Sequence, residues 1–585
     1  MKKTGKGQEQ AAGENVMTWE QITSHIKTLT RTPRLSFSLL HVTILGVFIA
    51  IPLIFLLIFF AWPAATLIAR GFIDQAGAYD LSGFSEVFSR PRTLRIIGLT
   101  LGMATCATVL SLLLGIPGAY ILYCCRFPGR AIARAIVAVP FVLPSVVVGV
   151  AFRSLVARGG WLEFLHVDGS VASVIAAMVF FNYSLVVRTV GAVWSRLDPR
   201  MVQAAHTLGA RPARIWLTVT LPCILPAIAS VACVVFLFCA TAFGIVLILG
   251  GSDLSTIESE IYILTTAFLD LRSAAVLSVV QLVVITAALI TAGYARKKGE
   301  RALALRTAPV EHSITRGDLA PFVITALVIG GLLLSPLLAL IWRSFQRNGQ
   351  FTWANWLDLG SADVSPAIRV SALEALGHSV LIAIQAASIA LIIGVMVSLA
   401  ITRQPRFAGG RAAMHMVESF FMLPLGVSAV TVGFGFLVTL MQPPFDLRSW
   451  PLLIPIAQAV VAIPLVVRVI APVLRAIDPR LREAAATLGA TPLRAMFTID
   501  GSYVLRAGAV AAGFACATSL GEFGATAFLA RPTHPTLPVI IYRLISRPSA
   551  AEQGVALAAA VLLAVVAATM MVCVEHARPD TTGGM

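Results

Sequence analysis

The sequence predicts an all-α integral membrane protein of about twelve transmembrane helices, arranged as two duplicated six-helix modules. Three observations carry that prediction. Of 585 residues, 58% are hydrophobic and 12% charged, with a mean hydropathy of +0.88, which leaves too few polar side chains to cover a soluble particle of this size. Apolar stretches of ~20 residues, the length that crosses ~30 Å of hydrocarbon at about 1.5 Å per residue, recur as six plus six. One polar segment, Asp198-Pro199-Arg200 through Thr207-Leu208-Gly209-Ala210, returns as Asp478-Pro479-Arg480 through Thr487-Leu488-Gly489-Ala490.

Residues 1–40, rich in Gln, Thr and Lys, have little to bury and read as a cytoplasmic N-terminal tail. The apolar run at 41–68 starts too deep and is too long for a cleavable signal peptide, so it is expected to be a retained first helix. It opens the first module, 41–296, with further helices expected at 97–124, 135–152, 171–192, 221–249 and 274–294. A basic cytoplasmic linker, 297–319, contains Lys297, Lys298, Arg301 and Arg306. The second module, 320–575, has runs at 320–342, 377–401, 414–440, 451–474, 505–530 and 553–574, and 576–585 forms a C-terminal tail. The offset of 280 residues also matches Leu143-Pro144 with Leu423-Pro424, Phe243-Gly244 with Phe523-Gly524, and Ile261-Tyr262 with Ile541-Tyr542.

The net charge of +16 is not gathered into one patch, so no nucleic-acid partner is expected. Lys and Arg are in excess in the loops after even-numbered runs, whereas the loops after odd-numbered runs balance acids and bases. The positive-inside rule therefore puts the even loops and both termini in the cytoplasm. All eight cysteines fall in or at the ends of apolar runs without metal-ligand spacing and read as small apolar fillers; no metal is expected. Trp161, Trp353, Trp356 and Trp450 lie where interfacial anchors belong.

In each copy of the polar segment, the aspartate (Asp198, Asp478) suits an N-cap and the following proline suits the first helical position. The glycine (Gly209, Gly489) supplies a left-handed stop. Gln203, Ala204 and Ala205 in the first copy, and Glu483, Ala484 and Ala485 in the second, then form a short helix. Its paired alanines let another surface approach the backbone closely. Arg200, Arg480 and Arg482 flank that face and could pair with acidic groups of a partner. An interfacial helix held by anionic lipid is the competing reading.

Ala-Ala-x-x-x-Gly, followed by Val219-x-Leu221-Pro222, resembles the cytoplasmic loop of the membrane subunits of binding-protein-dependent ABC importers. Gln203 stands where that pattern has its first glutamate, and Gly501-Ser502 stands where it has the second Leu-Pro. A fused pair of six-helix halves looks most like the thiamine permease, next the iron(III) permease. Arg158-Gly159-Gly160-Trp161-Leu162, Thr256-Ile257-Glu258 with Ile261-Tyr262, and Ser519 to Thr526 favour the former. The resemblance implies a type I importer-like fold and coupling helices that dock into two copies of a cytoplasmic ABC ATPase. It also implies an extracellular or periplasmic substrate-binding protein.

No Gly-x-x-x-x-Gly-Lys-Ser/Thr loop occurs, so the chain is not expected to be an enzyme or to bind a cofactor; ATP and Mg belong to the partner ATPase. An ion-gradient-driven carrier is the rival from another class, and a membrane scaffold the third. Glu522, placed within the eleventh run, either lines the pathway or pairs with a hydroxyl or arginine between helices. Phe243-Gly244 and Phe523-Gly524 read either as an aromatic plug beside a bending glycine or as ordinary packing. Arg188 and Arg468 read as anchors at helix ends. The stretch from Gly251 to Ser273, with Asp253, Glu258, Glu260 and Asp270 against Arg272, is expected to be a solvated acidic outer loop. It would contact the binding protein or a cation, or simply follow the charge rule.

Overall fold

The computed structural model describes residues 46–73, 78–251, 254–299, 311–366, 368–403, 408–443 and 446–576. The tails expected at 1–40 and beyond 576, and Arg301 and Arg306 of the linker, lie outside the described residues. In the first module the helices are α1 (Gly46–Gly71), α2 (Ser82–Ser89), α3 (Pro91–Cys124), α4 (Arg130–Val142), α5 (Ser145–Val156) and α6 (Val171–Trp194). They continue with α7 (Pro199–Thr207), α8 (Pro212–Ala240), α9 (Gly244–Leu249), α10 (Ile257–Thr266) and α11 (Leu271–Gly299). The second module has α12 (Arg316–Ser344), α13 (Ala372–Thr402), α14 (Ala408–Met422), α15 (Ala429–Thr439) and α16 (Leu453–Arg475). After these come α17 (Pro479–Thr487), α18 (Leu493–Leu520), α19 (Gly524–Leu529), α20 (Leu537–Ile545) and α21 (Ala550–His576). Every helix from α3 to α11 thus has a counterpart ten labels later.

Among the described residues ten helices are long and apolar enough to span a bilayer, eleven if α4 and α5 count as one span bent by 110°. Twelve uninterrupted spans are therefore not what forms. The third run of each module breaks at its Leu-Pro. Leu143 is extended at φ −72° and ψ 136°, the region favoured before a proline, and Leu423-Pro424 opens a tight turn, Leu423–Gly426, between α14 and α15. The runs expected at 221–249 and 505–530 are interrupted too: the chain leaves the helix at Thr241 to Phe243 and at Gly521 to Phe523 before α9 and α19 begin.

Helices satisfy their own backbone groups, so side chains such as Leu113, Val283 and Leu381 can stand more than half exposed toward lipid without cost. Inside, small residues set the spacing. A Cβ on Gly115 of α3 would come within 2.6 Å of Val186 on α6, and one on Gly394 of α13 within 2.5 Å of Val466 on α16, the repeat partner of Val186.

The modules exchange their first helices. α1 packs on α15 of the second module, and α12 packs on α3 and α5 of the first. Phe59 of α1 lies 6.4 Å from Phe436 and 6.3 Å from Trp450, and Arg70 donates to Gln442. In return, Arg343 of α12 donates to the carbonyls of Ser154 and Arg158.

Ahead of α12, the strand β2 (His312–Ser313) pairs in parallel with β1 (Cys125–Arg126). Beside them Glu311 accepts from Arg126 Nε and Arg130 Nη2, both at 2.8 Å. Those hydrogen bonds, Arg130's first, hold its carboxyl down at about 2.

Candidate functional site

Both polar segments fold as their caps dictate. Asp198 Oδ1 accepts from Arg200 N at 3.1 Å, and Asp478 Oδ1 from Arg480 N at 2.9 Å. Gly209 and Gly489 sit at φ +74° and +80°, and the next amide closes each helix: Ala210 N donates to Ala205 O, Ala490 N to Ala485 O. No residue of α7 or α17 is buried, and Gln203, Ala204, Glu483 and Ala484 are exposed while Ala205 and Ala485 are half-buried. Each corner also projects a leucine the sequence reading passed over: Leu208 is 86% and Leu488 87% exposed. An apolar side chain repeated inside an otherwise polar segment was the available signal.

The two segments differ in one respect. Arg482 was expected to face a partner; instead it is spent internally, its Nε and Nη2 both donating to Asp500 Oδ1 while Arg403 takes Oδ2. Asp500 is 1% exposed. The matching positions of the first module are Val202, Thr220 and Tyr123, which can form no such bridge.

A cavity of about 600 Å³ lies between the modules, walled by both helix breaks, by Phe141 and Ser145 on either side of the first Leu-Pro, and by Pro424 and Gly426 of the second Leu-Pro turn. Phe243 and Phe523 stack across it, ring centroids 5.3 Å apart and planes 18° from parallel. Tyr262 of α10 meets Phe243 edge-on at 5.4 Å, Tyr542 of α20 meets Phe523 at 5.5 Å, and the tyrosines approach each other at 6.4 Å. The four rings are two repeat pairs meeting at the module interface. Gly244 and Gly524 serve close approach: a Cβ on Gly244 would stand 2.7 Å from Ser145 Oγ, and one on Gly524 3.1 Å from Ala429 Cβ and Val430 N.

Glu522 lines the cavity but lies in the break, not within a helix. Its Oε1 accepts from Ala525 N at 2.7 Å and its Oε2 from Thr526 N and Oγ1, so it caps α19. Gln458, bonded to Thr526 and Ser519, completes that network. Glu522 therefore stands on the cavity wall and bonds to a hydroxyl of its own segment, Thr526, and not to one on another helix.

The acidic loop expected at 251–273 is corrected. Glu258 and Glu260 belong to α10 and are 0% and 5% exposed, while Asp253 lies outside the described residues. Arg92 clasps Glu260 with two bonds of 3.0 Å, and Asp270 caps α11 through Ser273 N. Glu258 reaches the cavity wall and accepts from Ser428 Oγ at 2.9 Å and Gln281 Nε2 at 3.2 Å. The period Ile257, Ile261, Leu264 and the repeat of Ile261-Tyr262 at Ile541-Tyr542 were the signs of a helix there. Arg468 also lines the cavity, whereas Arg188 is exposed elsewhere on its module. Cys125, His312 and Asp318 bring their ligand atoms within 4.8 Å of one another, but Asp318 already serves Tyr120 and Thr315.

Residues 107–296 match the family model described as binding-protein-dependent transport system inner membrane component. The chain is similar to the thiamine transport system permease protein ThiP of Brucella abortus (strain 2308), 23% identical over 497 residues covering 83% of this chain and 87% of that one. It is likewise similar to ThiP of Escherichia coli (strain K12), 26% identical over 80% of this chain and 86% of that one. The sulfate transport system permease protein CysT of Escherichia coli (strain K12) is 30% identical over 31% of this chain and 67% of its own length.

Proposed function

The chain belongs to the family of binding-protein-dependent transport system inner membrane components, and from that premise we propose that it carries thiamine inward through the cavity between its modules. The observation that carries the choice of ligand is extent. Similarity to the thiamine permeases runs through both modules in one alignment, whereas the sulfate permease matches about a third of the chain. A cavity walled by aromatic rings and carrying buried carboxylates suits a flat organic cation.

In this reading α7 and α17 are coupling helices on the cytoplasmic side, each received by one of two ATPase subunits. Docking uses the exposed alanines and Leu208 and Leu488. A substrate-binding protein delivers from the opposite face. ATP-driven approach of the two ATPases draws the coupling helices together, and the movement reaches the cavity through α8 and α18. There the Phe243–Phe523 pair forms the closed gate and must part for the ligand to pass. Glu522, held by the first amides of α19, keeps the gate-bearing turn in shape. Membership of the family sets aside the ion-gradient carrier and the scaffold.

The test is ATP-dependent uptake of labelled thiamine by proteoliposomes holding the chain with its co-purifying ATPase and binding protein. Thiamine accumulation that needs ATP, and that Gly209→Asp plus Gly489→Asp abolishes with insertion intact, supports the reading. Uptake of ferric ion or sulfate without thiamine overturns the ligand.

A further inference from the structure

We propose that Glu258 is the charge-recognition group of the cavity between the modules, and that with Asn182 it forms a site for an organic cation bearing an amino donor. The proposal deepens the import reading and rests on it for the cavity being the path of the ligand.

Glu258 is wholly buried, yet its hydrogen-bond partners among the described residues, Ser428 Oγ and Gln281 Nε2, are neutral donors. Among the described residues no Lys, Arg or His forms an ion pair with it. A buried carboxylate without a counter-charge is costly, and each of its oxygens accepts more than one hydrogen bond, so Glu258 has both reason and capacity to take a cation from the cavity. Asn182 supplies an independent observation. It is 3% exposed and lines the same cavity. Its Nδ2 is spent on Met178 O and Cys239 Sγ, while its Oδ1 accepts from nothing. A buried acceptor left open on a cavity wall is satisfied by a donor that arrives with a ligand.

The walls agree with that chemistry. Phe141 and Phe181 line the cavity beside the stacked Phe243–Phe523 pair, and aromatic rings attract organic cations. Glu522 is the less able partner because its oxygens already accept three hydrogen bonds from Ala525 and Thr526, against two at Glu258. Arg468 places a positive charge on the same cavity, so the preference for a cation is local to Glu258. The repeat position of Glu258 is Pro538, which leaves one such carboxylate from this pair of positions. Because Ser428 belongs to the second module, a cation bound at Glu258 competes at the contact that joins the modules.

The experiment compares labelled thiamine with its neutral thiophene analogue in the same proteoliposomes, for the wild-type chain, Glu258→Gln and Asn182→Ala. Glu258→Gln is expected to cut thiamine uptake at least about tenfold while leaving uptake of the neutral analogue unchanged. Asn182→Ala, which keeps the charge, is expected to raise the KM for thiamine about tenfold without lowering the thermal midpoint. If Glu258→Gln imports thiamine as the wild type does, the proposal falls while the thiamine reading stands. If the wild type ignores thiamine but imports another organic cation that Glu258→Gln loses, the thiamine reading falls and this one stands. Should Glu258→Gln fail to insert, an unchanged KM in Asn182→Ala overturns the site by itself.

Discussion

Arg482 of the second polar segment and Asp500, two turns into the following membrane helix, are joined through two guanidinium nitrogens to one carboxylate oxygen, at 2.9 and 2.8 Å. Asp500 is buried and Arg403 holds its other oxygen, so the short helix α17 is bolted to the membrane bundle at a point where the repeat positions of the first module carry Val202 and Thr220, which can form no ion pair. Two corner helices of the same shape are therefore anchored differently.

Replacing Asp500 with Ala leaves two arginines beside an empty position and is expected to cost about 3 kcal/mol. Hydrogen exchange should rise over 479–490 and stay unchanged over 199–210. Equal protection in both segments after the substitution would show that the bolt carries no load.

The exposed leucines give a cleaner test of docking, because nothing in the chain leans on them. Leu208→Ser plus Leu488→Ser should leave the thermal midpoint within about 1 °C of wild type, surface changes being nearly neutral, yet abolish co-purification of the ATPase. Retained co-purification would remove these side chains from the docking surface.

Gly209→Ala and Gly489→Ala probe backbone alone, since no atom lies within 4 Å of the added Cβ. Each should cost about 1 kcal/mol from the left-handed conformation, read as a lower midpoint that is nearly equal for the two sites. A markedly larger loss at one site would point to a contact absent from the unpartnered chain.

In the stacked pair, Phe243→Ala or Phe523→Ala removes one buried ring and the stacking between the two. The expected loss is about 3 kcal/mol, together with ATP hydrolysis that no longer waits for the loaded binding protein. Hydrolysis that remains strictly ligand-dependent in both variants would reduce the pair to packing.

The Glu311 clamp gives a pH dependence with a definite sign. Its carboxyl lies at about 2 in the fold against 4.5 for a free glutamate, so the clamp contributes fully above about 4.5 and is lost as pH falls toward about 2. Proteolysis near residues 311–318 should therefore increase between those pH values in wild type. Glu311→Gln should be cut readily across the whole range.

Much of this architecture was legible in the chain. The 280-residue repeat marked out the modules, and the caps Asp198, Pro199 and Gly209 with their twins specified the two short helices and their glycine corners. What escaped were consequences of packing. Hydropathy alone does not distinguish a continuous span from one broken at Leu143-Pro144, because both are equally apolar. Acidic Glu258 and Glu260 looked solvated because burial of a carboxylate depends on partners far away in sequence: Arg92, Gln281 and Ser428. Arg482 looked available for the same reason, its partner Asp500 lying beyond the corner. Glu522 was seen, but its task as a cap could be read only after the helix was known to break beside it.

The exchange of first helices carries a consequence for synthesis. α1 leaves the ribosome early, but its seat on α15 begins only at Ala429. At about 5–20 residues per second the wait is on the order of tens of seconds. In water such an orphan would invite aggregation, whereas lipid shelters Phe59 and Pro63 as well as Phe436 and Gly435 later do. The half that is made first thus cannot finish until the second is well under way, and a ribosome halted in the linker would leave behind an unfinished module waiting for a groove that never arrives.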